Sequence, residues 1–139
     1  MNKNIDPPAL GSTAALADMD SHTPTIRLHL WLEGGEGVFF GYGRLLLLDR
    51  IEICGSLKKA SEELGMSYRA AWGKIKQTEK VLGFQLIERA GSRRSGYRLT
   101  EAGRIVRDKY MEWFSKVESD ARARADEIFP WQSKSFGEG

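Results

Sequence analysis

The sequence holds a single cysteine, Cys54, and only two histidines, His22 and His29. One cysteine excludes an internal disulfide framework and any multi-thiolate metal site within the chain, and it suits a reducing compartment. The histidines have too little company for a metal centre, and His29 falls on an alternating stretch where it reads as a surface position. No apolar run approaches the roughly 18 to 20 residues of a membrane span. The N-terminus also lacks the basic start and apolar block of a secretory signal. These absences lead us to expect a soluble, cytoplasmic protein with no membrane partner. Gly-x-Ser-x-Gly, a Walker loop and His-Glu-x-x-His are missing too, and neighbouring carboxylates such as Glu62 and Glu63 do not face each other on a helix. Neither an enzyme, nor a metal, nor a cofactor is expected.

A large charge of one sign is absent as well. The 139 residues carry 21 Lys and Arg against 19 Asp and Glu, a formal net charge of +2, too small by itself to imply a polyanionic partner. The distribution is uneven, however. From Ser56 to Tyr110 there are thirteen basic and six acidic residues, a local +7, and the rest of the chain carries −5. The length suits one domain, since domains commonly run to about 100 to 150 residues.

Residues 1–24, with Pro7, Pro8, Gly11 and Ser12, show no periodicity and read as a flexible arm. The alternation of Ile26, Leu28, Leu30 and Leu32 predicts a half-buried strand, and the turn from Glu33 to Gly37 leads to Val38–Phe40 as the second arm of a β-hairpin. Gly35, Gly37 and Gly41 come near a nucleotide-binding glycine spacing without fitting it, and read as a turn. Tyr42 to Cys54 is dense in Leu and Ile, as in a helix buried on more than one side, and Gly55 supplies a left-handed cap. A short helix over about Leu57–Leu64, a turn at Gly65 and a second helix over about Ser67–Leu82 make helix-turn-helix spacing. Leu86–Glu88 and Gly96–Leu99 form two short strands around the loop Ala90–Ser95, a wing. Thr100 then caps a helix reaching Phe129, with Glu101 in its first turn and Pro130 as its stop. At about 1.5 Å per residue it is roughly 40 Å long, so part of its stripe of Ile105, Val106, Trp113 and Val117 is expected to face another subunit. Residues 130–139 are read as a flexible tail. The fold class is mainly α (α+β): a single winged helix-turn-helix domain over residues 25–129.

In the second helix of the motif, Ala71, Ile75, Thr78 and Leu82 share one face, while Arg69, Gly73, Lys76, Gln77 and Lys80 share the other. One face suits a core and one suits a polyanion. A helix of this kind enters a major groove, its N-terminal residues meeting base edges and its long cations meeting phosphates. Ser67, Tyr68 and Arg69 are the expected readers. Ser56, Lys58, Lys74, Lys76, Gln77 and Lys80 are further expected contacts, with Lys76 and Lys80 serving phosphates. Arg89, Arg93 and Arg94 stand in the glycine-bounded wing loop, with Arg93 and Arg94 the expected contacts at its tip. Trp72, one turn beyond Tyr68, reads as a core anchor instead of a base-stacking platform.

Gly55 and Ser56, followed by Gly65, Met66, Ser67, Tyr68, Arg69, Ala70, Ala71 and Trp72, resemble the N-terminal domain of molybdate-responsive ModE-type regulators, with their Ser-Tyr-x-x-Ala-Trp signature. Ile87, Glu88 and Arg89 before the wing, and Leu99 to Gly103 after it, are similar to that family and to the broader LysR-type DNA-binding domain. The resemblance covers roughly Ile26 to Phe129. It implies a winged helix-turn-helix that forms a homodimer through its first long helix and its C-terminal helix and binds double-stranded operator DNA. Ser67, Tyr68 and Arg69 then open the recognition helix, and Arg93 and Arg94 lie in the wing. Two departures stand out: arginines replace some of the wing glycines, and only Trp131 to Gly139 follow the last helix, so molybdate binding is not expected of this chain. A protein-interaction or nonspecific nucleic-acid-binding module is the alternative, distinguished by salt-dependent DNA binding.

Overall fold

The computed structural model describes residues 23–136. They form two compact units, one spanning His29–Phe114 and the other combining the segment up to Leu28 with the segment from Ser115 onward. The single domain expected over residues 25–129 is thus divided.

In the His29–Phe114 unit, β2 (Trp31–Gly34) and β3 (Gly37–Gly41) pair antiparallel, with a register shift between Leu32 and Glu33. β1 is only Thr25–Ile26 and lies in the other unit. The continuous strand predicted from Ile26 to Leu32 is therefore broken. One reason is visible at Leu30, whose carbonyl accepts the Tyr110 hydroxyl at 2.8 Å instead of a strand neighbour.

Helix α1 (Tyr42–Cys54) buries Leu45, Leu47, Leu48 and Ile51, while Leu46 and Ile53 face outward. Gly55 ends it at φ 67°, returning its N–H to the Ile51 carbonyl; this is the left-handed geometry that glycine adopts without a Cβ penalty. Ser56 caps α2 (Leu57–Glu63), accepting the Lys59 N–H, and Ser67 caps α3 (Tyr68–Leu82), accepting the Ala70 N–H. Between the two helices the Gly65 N–H bonds to the Glu62 carbonyl. β4 (Ile87–Arg89) and β5 (Tyr97–Leu99) pair antiparallel as the wing.

The core joins Phe40, Leu47, Leu48, Ile51, Leu57, Ala71, Ile75, Leu86, Leu99 and Tyr110. Two polar ties locate α3 within it. The buried Thr78 hydroxyl donates to the Phe39 carbonyl of β3. Glu79, only 9% exposed, accepts the backbone N–H groups of Leu86 at 2.7 Å and Ile87 at 3.3 Å. A buried carboxylate is tolerable when it is hydrogen-bonded in this way, and here the bonds fasten α3 to the first wing strand.

Helix α4 (Glu101–Ile128) begins at Thr100, whose hydroxyl accepts the Gly103 N–H and donates to the Gln85 carbonyl. It belongs to the first unit as far as Phe114 and to the second from Ser115. At Gly103 it comes so close to the chain before β4 that a Cβ would sit 2.1 Å from the Leu86 carbonyl oxygen.

In the second unit, residues 130–136 are not the flexible tail expected of them. Lys134–Ser135 (β6) pairs parallel with β1, Thr25 opposite Lys134 and Ile26 opposite Ser135. Asp126 accepts both the N–H and the hydroxyl of Ser133, and Arg122 donates to the Ser133 carbonyl. These bonds hold the segment after Pro130 against the end of α4. The arm expected over residues 1–24 lies outside the described residues except for its last two.

Candidate nucleic-acid interface

At the start of α3, Ser67 is exposed while serving as the cap, and Tyr68 and Arg69 project outward, Tyr68 at 42% exposure. Among the described residues, Arg69 has no ion-pair or hydrogen-bond partner for its guanidinium. The same holds for the ammonium groups of Lys58 and Lys59 on α2 and Lys74 on α3, and for the guanidinium groups of Arg93 and Arg94 in the wing loop. Lys80 is exposed and 3.9 Å from Glu36, itself exposed, an arrangement worth little against solvent and salt.

Three residues read from the sequence as contacts are committed to the fold. Ser56 is 4% exposed, and its hydroxyl caps α2 and lies 3.3 Å from the Ser95 hydroxyl. The Lys76 ammonium sits 2.9 Å from Glu79 and 4.4 Å from the centre of the Trp72 ring. Gln77 accepts the Arg44 guanidinium at 2.5 Å, and Arg44 also donates to the Lys74 carbonyl at 3.3 Å. Helical spacing placed Lys76 and Gln77 beside Lys80, but it carries no information on what α1 puts against Gln77 or on the burial of Glu79, one turn beyond Lys76, under the start of β4. Arg44 and Glu79, which the sequence reading did not single out, are the partners responsible. Burial draws the Arg44 guanidinium below its ordinary pKa, and its two bonds to α3 offset that desolvation.

The wing root lies beside the beginning of α2. Leu57 donates to the Ser95 carbonyl, Tyr97 donates to the Gly55 carbonyl, and Ser56 bridges Gly96. Gly96 has no room for a side chain, because a Cβ would fall 2.2 Å from the Ala90 carbonyl oxygen. Arg89 turns back over the loop, donating to the Arg94 carbonyl at 2.6 Å and to the Arg93 carbonyl at 3.2 Å. The tip therefore presents two free guanidinium groups, not three. Trp72 is half-buried, packs on the core and lies 5.9 Å from the Tyr97 ring, as a core anchor would.

Cys54 has its thiol pKa raised by desolvation and by the hydrogen bond and charge of Glu63, a shift away from the nucleophilic thiolate. Among the described residues, no group of three or more His, Cys, Asp or Glu could hold a metal ion, and no helix is long and apolar enough to cross a membrane.

Residues 43–104 match the family model of the bacterial regulatory helix-turn-helix protein, lysR family, from the start of α1 to the first turn of α4. Among solved structures, the DNA-binding domain of CbnR in a complex with DNA is similar over 62% of this chain and 99% of that one, with a TM-score of 0.51 and 22% identity. Full-length CbnR complexed with its target DNA is similar over 62% of this chain at a TM-score of 0.50 and 23% identity, and the likeness covers 29% of that protein. Likeness at such identities establishes the fold. A search of curated protein sequences finds no match. The chain is a winged helix-turn-helix with N-terminal strands and a long C-terminal helix, and over residues 43–104 it is similar to the helix-turn-helix of the lysR family.

Proposed function

We propose that this protein is a sequence-specific, double-stranded-DNA-binding transcriptional regulator that works as a homodimer, LysR-like in its reading head and ModE-like in its signature. One observation carries the reading: the unpaired cations gather on one part of the fold. In the His29–Phe114 unit, Arg50, Lys76, Lys80, Arg98, Arg104 and Arg107 have acidic partners. Among the described residues, Lys58, Lys59, Arg69, Lys74, Arg93 and Arg94, on the helix-turn-helix and the wing tip, have none, and Lys109 on α4 is the one other in that unit whose charge has no hydrogen-bond or ion-pair partner. A phosphate-binding surface gains by leaving cations available for counterion exchange.

In this reading Ser67, Tyr68 and Arg69 meet base edges at the mouth of the major groove, Lys58, Lys74 and Lys80 meet phosphates, and Arg93 and Arg94 reach the adjacent backbone or minor groove. The dimer forms through α1 and α4, where Tyr42, Leu45, Leu46, Asp49, Arg107, Asp108 and Met111 line a groove of about 430 Å³. A two-fold dimer requires a roughly two-fold symmetric site. The place of action is the cytoplasm, and we assign no molybdate site to these residues.

Selection from a random duplex pool, followed by affinity at two salt concentrations, tests the proposal. An enriched inverted repeat whose preference survives higher salt supports it. No enrichment, with weak and salt-insensitive binding, favours a protein-interaction module instead.

A further inference from the structure

We infer that Arg89 is a positioning residue for the wing, holding the loop that presents Arg93 and Arg94 without touching DNA itself; the inference rests on the DNA-binding reading above. Its guanidinium is already occupied. One nitrogen donates to the Arg94 carbonyl and the other to the Arg93 carbonyl, so the planar fork ties together two carbonyls of the loop whose side chains are exposed. Its carbon centre lies 5.3 Å from the Tyr97 ring, and Tyr97 is 8% exposed.

Tyr97 in turn packs on Trp72 of the recognition helix, and the Trp72 ring is covered by Lys76, which pairs with Glu79. Glu79 holds the first two residues leading into β4 through their backbone N–H groups. Arg89 is therefore the last member of a contact series running Glu79, Lys76, Trp72, Tyr97, Arg89 from the recognition helix to the wing tip. The start of α2 holds only the far root of the loop, through Ser95 and Gly96; inside the loop, among the described residues, the Ala90–Gly96 and Gly96–Arg93 backbone bonds close the turn. With Arg89 removed, the tip arginines keep their charge but lose their direction relative to α3.

Arg89→Lys is the informative variant because it keeps the charge and removes the fork that spans two carbonyls. Hydrogen exchange at the amides of residues 90–96 in the free protein should quicken several-fold, with Tm nearly unchanged. On a selected duplex, replacing Arg93 and Arg94 together by Ala should flatten the slope of log affinity against log salt by about 2 per protomer in the wild-type background, and by less than half of that in the Arg89→Lys background. Unchanged exchange, or equal flattening in both backgrounds, overturns the role of Arg89 and leaves the DNA-binding reading standing. Absence of salt-dependent DNA binding by the wild-type protein overturns both.

Discussion

Lys74 and Lys76 lie two residues apart on the same helix, and their surroundings predict opposite behaviour. Lys74 is exposed and its ammonium has no partner among the described residues, whereas Lys76 bridges the 9%-exposed Glu79 carboxylate and the Trp72 ring. If each free cation neutralises one phosphate, it contributes about 0.9 to the slope of log affinity against log salt. In a homodimer Lys74→Ala then flattens the slope by about 1.8, and the affinity lost between 50 and 200 mM salt shrinks by about 12-fold. Lys76→Ala should leave the slope where it is. It should instead cost stability, about 1 to 2 kcal/mol, between the values for exposed and buried pairs, because Glu79 keeps its two backbone donors. In a unit of this size that lowers Tm by about 5 to 10 °C. Fluorescence anisotropy of a labelled duplex across a salt series, with calorimetry of the free variants, separates the two effects. Equal flattening by both substitutions would refute the assignment of Lys76 to the scaffold.

Four further outcomes follow from individual contacts. Arg69→Ala should weaken binding to a selected site more than to scrambled DNA, whereas Lys80→Ala should weaken both alike; competition titrations with the two duplexes read the difference. Gly103→Ala drives a methyl into the Leu86 carbonyl, which a Cβ would approach to 2.1 Å, and should lower the denaturation free energy by about 3 kcal/mol. Tyr110→Phe keeps the ring packed on Phe40 but removes the bond to the Leu30 carbonyl, costing about 1 kcal/mol by chemical denaturation. Because desolvation, and secondarily Glu63, raise the Cys54 pKa, its alkylation rate should climb with pH through a midpoint above that of a free cysteine thiol; a midpoint below it would contradict the assigned surroundings.

The helices were legible because their signals are local. Gly55, Gly65 and Gly83 adopt positive φ where the periodic patterns stop, and Ser56, Ser67 and Thr100 cap where those patterns begin. Each such signal concerns residues within one turn of each other. The β1–β6 pairing has no comparable signal, because residues 25–26 and 134–135 are more than a hundred positions apart and each strand is only two residues long. Nor does alternation say where a strand stops: the pattern through Leu28 and Leu30 continues past the point at which the Tyr110 hydroxyl takes the Leu30 carbonyl.

At the interface the same divide separates what a sequence shows from what packing decides. The side chains of Arg69 and Lys74 are open to solvent because, among the described residues, no side chain from another element pairs with them, and helical spacing alone describes such residues adequately. Lys76 and Gln77 have the same residue chemistry and nearly the same helical bearing, yet Glu79 of their own helix and Arg44 of α1 had already claimed them. Arg89 belongs with them, since its partners are carbonyl oxygens of the loop and backbone acceptors leave no mark in a pattern of side chains. A basic residue beside a wing thus has two possible employments, toward the phosphate or toward its own loop. The deciding quantity is the number of fixed acceptors within reach, which for Arg89 is two, enough to fill the guanidinium fork before any DNA arrives.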